Sequence, residues 1–232
     1  MKNSDVVALQ TDRQGTWIFD ISSEADTVSE GLDESLSIYN TLTETFVDFV
    51  VPTEVTVTLK SFSGGMSMDS VIEASMAGDE VENSKIDFLE PDDVSTSDIR
   101  SEIPESTELS HFIPKITIDN AKVHCRLAGE DVYADKETHS ARYHGDDLLE
   151  NKPSSRGPLH FLVLYVKPPD RGDILVNLYI STRSDIWFED TEIGRVNRDR
   201  LRGLLRRIDE SLPVARIHRE STRWESEMKG IY

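Results

Sequence analysis

Apolar residues recur at helical spacing in two segments of the chain. In residues 27–48 they follow one another at intervals of three and four, which predicts an amphipathic helix with one buried face. Its apolar positions are Val28, Leu32, Leu36, Tyr39, Leu42 and Phe46. Residues 190–212 show a second such arc, formed by Ile193, Val196, Leu201, Leu204, Leu205, Ile208 and Leu212. Asp190 is placed to cap the start of this helix, and Pro213 is placed to end it.

Short apolar runs of strand length surround the two helices. The richest runs are 160–166 and 174–180, whose β-branched and aromatic residues predict a pair of antiparallel strands. Pro168, Pro169 and Gly172 between them set turn dihedrals, so we expect a hairpin with a longer loop. Because both runs are almost continuously apolar, we expect both faces of this hairpin to be covered. Further strands are predicted at 6–10, 17–21, 55–59, 113–118, 121–127, 131–134 and 214–217.

Together these elements predict an α+β fold, a mainly antiparallel sheet covered by two amphipathic helices. Residues 79–108 interrupt it with 11 acidic and two basic side chains, a composition that buries little apolar area. We therefore expect one domain over residues 1–232 with a long, mobile acidic loop. The alternative is a weak division into two similar parts, residues 1–60 and residues 158–220. Each part runs from a strand through Ile-Ser-x-x-x-Asp into a helix. Ordinary turn chemistry explains this echo at least as well.

The chain is strongly acidic, with 44 Asp and Glu against 25 Lys and Arg and a net charge of −19. Arginine outnumbers lysine by 16 to 9. This composition resembles that of cytosolic proteins from extreme halophiles, and an ordinary acidic protein is the alternative. The charge is uneven: residues 1–157 carry 32 acidic and 12 basic side chains, whereas residues 158–232 carry 12 and 13. We expect the two regions to meet different surfaces or each other.

The sequence also bears on location and on the redox environment. No apolar run approaches the ~18 residues that a membrane-spanning helix requires, and the first 15 residues lack the basic and apolar regions of a secretory signal. The single cysteine, Cys125, excludes an internal disulfide framework. It lies in an apolar strand, where a thiol is usually an inert core residue. A soluble, cytoplasmic protein without a membrane partner is therefore expected.

Motifs of the common enzyme classes are absent from the sequence. It contains no Gly-x-Ser-x-Gly elbow, no Gly-x-x-x-x-Gly-Lys-Ser/Thr loop and no Gly-x-Gly-x-x-Gly turn. One region has metal-ligand chemistry, because His139 and His144 are followed by Asp146, a set suited to zinc or another divalent ion. Its spacing matches no established motif, and Arg142 lies between the histidines, so a plain polar loop is the alternative. We expect no cofactor.

The polar side of the helix 190–212 is the main candidate for binding. It carries Arg195, Arg198, Arg202 and Arg206. Guanidinium groups bind phosphates and carboxylates in bidentate fashion, so nucleic acid is one partner for such a stripe. A net charge of −19, however, repels a polyanion. The alternative is that these arginines pair with the acidic first region of the same chain.

Three functions follow as hypotheses. The leading one is a non-enzymatic, acidic protein-binding module, loosely of the immunity or antitoxin kind, which neutralises a basic protein by charge complementarity. The second is a metal-dependent hydrolase that uses the His139/His144 region. The third is a nucleic-acid-associated protein that uses the arginine-rich helix 190–212. The sequence indicates no oligomeric state.

Overall fold

The computed structural model describes residues 15–25, 28–61, 83–88, 112–142, 157–166, 174–182, 184–221 and 224–232. They form one antiparallel sheet of eight strands and four α-helices. The strands are β1 (Gly15–Ser23), β2 (Val50–Ser61), β3 (Asn83–Phe88), β4 (Phe112–Leu127), β5 (Glu130–Ala134), β6 (His160–Val166), β7 (Ile174–Thr182) and β8 (Val214–Ser221). The helices are α1 (Val28–Thr45), α2 (Lys136–Arg142), α3 (Glu192–Ser211) and α4 (Glu225–Ile231), and a 3-10 turn spans Asp185–Trp187. The predicted α+β class is confirmed.

The strand order is β3-β2-β4-β6-β7-β1-β8, and β5 forms a hairpin with one end of β4. Every pair is antiparallel. β1 therefore lies between β7 and β8, although it comes first of the described strands in the chain. Among the described strands, β3 and β8 form the two edges of the sheet. No helix in the described residues is long and apolar enough to span a membrane.

One face of the sheet carries the hydrophobic core. Successive strand residues point to opposite faces, and on this face the side chains of the central strands, from Phe19 in β1 to Val57 in β2, are fully buried. The two long helices cover them: Leu42 of α1 and Leu204 of α3 line the same small apolar crevice beside Phe161. α4 joins this layer, because its Met228 packs near the end of β1. We call this side of the sheet the covered face.

The opposite side, which we call the polar face, is formed by cross-strand rows of mixed side chains. One row contains Tyr179, Ile18 and His218, and the next contains Asn177, Asp20 and Arg216. Ile18 and Asp20 are only 7% and 8% exposed, although α1, α3 and α4 lie on the other side of the sheet. Asn177 and Tyr179 are half-buried. We expected both faces of the β6–β7 hairpin to be mostly covered; its described side chains are buried on the covered face and half-buried to buried on the polar face.

Two boundaries differ from the sequence expectations. The predicted strands 113–118 and 121–127 form one strand, β4, which passes through this point with a shift in its register against β2 instead of a turn. α3 begins at Glu192, and its cap is Thr191, whose Oγ1 accepts the hydrogen bond of Gly194 N at 3.0 Å. Asp190 lies one residue too early for this role, so that prediction was wrong.

The acidic segment 79–108 is described only in part. Its residues 83–88 form β3, which pairs with β2, where the sequence predicted no regular element. The remainder lies outside the described residues, as does the predicted strand 6–10, so a mobile loop stays a prediction. The two-part organisation stays a prediction as well; β1 precedes α1 and β7 precedes α3, and these two strands are antiparallel neighbours.

Candidate protein-interaction surface

Two of the four predicted binding arginines are engaged within the chain. Arg198 donates a hydrogen bond to the carbonyl of Glu189 at 3.1 Å, which ties α3 to the segment before it. Arg202 donates to the carbonyls of Gly230 and Ile231 at 3.0 and 3.1 Å, which fixes the end of α4 against α3. These guanidinium groups satisfy carbonyls at the ends of neighbouring elements, so their recorded contacts are structural.

The remaining arginines of α3 divide into exposed and engaged residues. Arg195 and Arg206 are exposed, and neither forms an ion pair with another residue that the structure describes. Arg200 bonds to Asp131 of β5 at 2.8 Å, an acidic partner from the first region of the chain. Arg207 lies over the ring of Phe46, 5.4 Å from its centroid. The stripe is therefore interrupted by internal contacts.

His139 is a buried residue of α2 with an exposure of 5%. Its Nε2 lies 2.8 Å from Ser184 Oγ, and burial lowers its pKa to about 4, so the imidazole is neutral at pH 7. Ser184 N donates to Thr182 Oγ1, which also accepts from Trp187 Nε1 and donates to the carbonyl of Pro158. This chain of hydrogen bonds joins α2 to the end of β7.

Of the three candidate ligands in the metal hypothesis, the structure describes only His139, and its Nε2 is already hydrogen-bonded to Ser184. His144 and Asp146 lie outside the described residues, and the described residues contain no group of three or more His, Cys, Asp or Glu that could hold a metal ion. Cys125 is fully buried, and burial raises its pKa to about 12, so the thiolate that acts as nucleophile or ligand is not formed at neutral pH. Its expected place in the core is confirmed.

The polar face holds a hydrogen bond between β1 and β8 that the sequence did not predict. His218 Nε2 lies 2.9 Å from Asp20 Oδ2, and the two residues are 198 positions apart in the chain. Nearby, Asn177 Nδ2 donates to Tyr179 Oη at 3.4 Å, and burial raises the pKa of this tyrosine. The carboxylate orients the imidazole. The described contacts place no nucleophile against it, so this pair has the geometry of a structural interaction between β1 and β8.

A different surface brings together two exposed apolar side chains. Val47 and Tyr133 are 54% and 45% exposed, the only large hydrophobic residues that are exposed in the described part of the chain. Tyr133 of β5 donates its hydroxyl hydrogen bond to the carbonyl of Asp48 at 3.0 Å, and Asp48 follows Val47 directly. The Tyr133 ring also stacks on the imidazole of His124, with 5.0 Å between the centroids. We call Val47, His124 and Tyr133 the aromatic patch.

The outer side of α1 carries no positive charge, and the helix ends two residues before Val47. Besides Thr45 at its end, its exposed positions follow helical spacing and are Glu30, Asp33, Ser37, Asn40 and Glu44. Residues 14–59 contain no Lys or Arg, so α1 forms no ion pair within itself. Around the patch the charge is mixed: Asp48 and Glu130 are exposed, and Arg200 holds the pKa of Asp131 below its usual value. We call the five positions from Glu30 to Glu44 the acidic stripe.

No family model, curated protein or solved structure shows significant similarity to this chain. The acidic stripe and the aromatic patch are therefore interpreted from their own chemistry. The sequence signal for the patch is limited to Val47, an apolar residue that follows the predicted apolar positions of 27–48 and is not one of them.

Proposed function

We propose that this protein is a non-enzymatic binding module that docks a basic protein on the acidic stripe and the aromatic patch. The observation that carries the proposal is that the exposed Tyr133 is bonded to the carbonyl of Asp48, directly after the exposed Val47 and close to the end of a helix without a cation. Exposed apolar and aromatic side chains surrounded by polar groups are typical centres of protein interfaces. Tyr133 is held in place by Asp48 and His124, so little side-chain entropy is lost on binding.

The charge of the chain supports a basic partner. A net charge of −19 attracts a cationic protein over long distances and repels nucleic acid. The acidic stripe then offers carboxylates to a row of Lys or Arg side chains on the partner. An immunity-like or antitoxin-like protein, which neutralises a basic protein in the cytosol, fits this combination. The acidic, lysine-poor composition also fits a high-salt cytosol, where this attraction is screened and acts only at close range.

Neither alternative function gains comparable support from the described contacts. The hydrolase hypothesis relies on His139, whose Nε2 is bonded to Ser184 in the protein interior. The nucleic-acid hypothesis relies on the arginine stripe, from which Arg198 and Arg202 are drawn into contacts with backbone carbonyls. Arg195 and Arg206 are the residues on which that hypothesis can still be tested.

The proposal is tested by affinity capture followed by direct binding. The immobilised protein is exposed to a lysate of cells that encode it, beside a Val47→Ser/Tyr133→Ser variant that keeps the charge. The wild-type protein is expected to retain a basic protein that the variant loses. With that protein purified, calorimetry should show at least about a tenfold weaker Kd for the variant, equivalent to about 1.4 kcal/mol.

The matched control is Arg195→Gln/Arg206→Gln, which alters the opposite candidate surface. It should bind the partner as tightly as the wild-type protein, and higher salt should weaken both equally. Equal retention by the wild-type protein and the Val47→Ser/Tyr133→Ser variant would reject the proposed surface. Loss of binding only in the arginine variant would show that the partner binds to α3 instead.

A further inference from the structure

The outer side of β8 is an exposed sheet edge. β8 pairs with β1 along residues 214–221, and no other described strand lies beside it. Five of its eight residues are exposed. α4, which follows β8 in the chain, packs on the covered face, where Met228 approaches Gly15 and Tyr232 lies against Phe19. Edge strands present backbone N–H and C=O groups that can pair with another strand.

The side chains of β8 are self-complementary in one antiparallel register. Arg216, His218 and Glu220 lie on the polar face, because they pair with Asp20, Ile18 and Thr16 of β1. When two copies of β8 are paired about a two-fold axis at His218, Arg216 of each copy faces Glu220 of the other. This arrangement produces two opposite-charge cross-strand pairs, and directly opposite pairs of this kind stabilise a sheet.

The two neighbouring registers toward the start of β8 lack this complementarity. A two-fold axis at Ile217 places Arg216 opposite His218 and Ala215 opposite Arg219, so it contains no acid–base pair. An axis between Ile217 and His218 places Arg216 opposite Arg219, which is repulsive. It would also join the polar face of one copy to the covered face of the other. The axis at His218 keeps the polar faces of both copies on the same side.

The charge distribution also favours contact at this edge. Two molecules that each carry −19 repel one another, and the repulsion is smallest where acidic residues are scarce. β8 carries Arg216, His218 and Arg219 against the single acid Glu220. It belongs to the region 158–232, which holds 12 acidic and 13 basic residues. Its edge is therefore a place where a second copy can approach with little electrostatic cost.

We propose that two copies of this chain pair antiparallel through β8, centred on His218, so that their sheets become continuous. Two Arg216–Glu220 contacts join the copies on the polar face. This inference goes beyond the proposed function, because α1 contacts β2, β4, β6 and β7 and lies away from β8. A dimer of this kind presents two acidic stripes and two aromatic patches, so it is bivalent for the partner.

Sedimentation analysis of charge variants tests the pairing. In about 0.15 M salt the wild-type chain is expected to be a dimer, and Glu220→Arg alone should weaken the dimer at least tenfold, as should Arg216→Glu alone. An equal mixture of the two variants should recover a dimer, since one of its two contacts is the original Arg216–Glu220 pair and the other is the same pair with its charges exchanged. A monomeric wild-type chain, or a Glu220→Arg variant that dimerises normally, would overturn the proposal.

Cysteine cross-linking provides a second test that does not depend on the fold of Arg216→Glu. In His218→Cys, the two-fold axis brings the introduced Cβ atoms to about 5 Å, close enough for a disulfide after a small adjustment. In Glu220→Cys they are about 13 Å apart. Cys125 is buried and does not compete. Mild oxidation should cross-link only the first variant; cross-linking of neither variant, or of Glu220→Cys alone, would overturn the register.

Discussion

β1 is almost equally buried on the covered face and on the polar face, but by different neighbours. Phe19 lies on the covered face in one apolar core with α1 and α3. Asp20 lies on the polar face and is 8% exposed, between side chains of β7 and β8 and in a hydrogen bond with His218. Phe19 and Asp20 are therefore both buried, but Phe19 is buried by close packing on the covered face and Asp20 by pairwise contacts on the polar face. The free energy lost on substitution should differ accordingly.

The largest difference is expected between two neighbouring apolar residues of β1. Phe19→Ala removes a ring from the core and should lower the free energy of unfolding by about 3–5 kcal/mol. Ile18→Ala is the matched change on the polar face and should cost less than half as much, because Ile18 lies outside the apolar core and its described cross-strand neighbours are Tyr179 and His218. Urea unfolding followed by circular dichroism measures both. Equal losses would mean that the polar face is packed as tightly as the covered face.

The next largest loss of stability is expected for Asn197, a polar residue on the covered face. Asn197 of α3 is fully buried, and its amide accepts from Arg126 N at 2.7 Å and donates to Arg126 O at 3.0 Å. Asn197→Ala leaves both backbone groups of β4 without these partners, and the loss should be about 2–4 kcal/mol. Asn40→Ala on the exposed side of α1 is the control and should change stability little. A small loss at Asn197 would show that water replaces its amide.

The buried histidine should make stability depend on pH. The pKa of His139 is lowered from 6.5 to about 4 in the folded protein, so the unfolded chain binds its proton first as the pH falls. Its contribution to stability is therefore full above about pH 6.5 and decreases toward about pH 4, by about 2 kcal/mol between pH 7 and pH 4.5. His139→Gln should remove this part of the pH dependence, as measured by urea unfolding at both pH values. Parallel profiles for the two proteins would contradict the prediction.

The smallest effect is expected on the polar face. The side chain of His218 is 44% exposed, so solvent screens its pairing with Asp20. A double-mutant cycle with Asp20→Asn and His218→Gln should yield a coupling free energy of at most about 1 kcal/mol. Chemical denaturation of the four proteins provides the measurement. A coupling well above this value would place the pair in a dry environment and remove the distinction between the two faces.

The local pattern of the sequence predicted most of the elements but not their neighbours. Apolar spacing identified α1 and α3, and β-branched runs identified β6 and β7, because these signals are contained within a few residues. The position of β1 between β7 and β8 depends on pairing over 165 positions, as between Thr16 and Ser181. Spacing within a segment carries no information about such partners.

The candidate surface was predicted in a similarly partial way. The exposed acidic side of α1 follows from its helical pattern, but the aromatic patch depends on the contact of Tyr133 with Asp48, 85 positions away in the chain. The engagement of Arg202 could not be predicted, because its acceptors are backbone carbonyls that any sequence provides. Asn197 did leave a signal, since it is a polar residue within the apolar arc of α3.

The place of β1 in the sheet also affects how the chain folds during synthesis. At about 5–20 residues per second, β7 follows β1 from the ribosome only after about ten to thirty seconds. The contact of Asp20 with His218 requires still more chain, 198 positions later. Throughout this interval Trp17 and Phe19, which end fully buried, have no strand beside them. We expect this segment to be a binding site for chaperones on the nascent chain, and its insertion to be a slow, late step of folding.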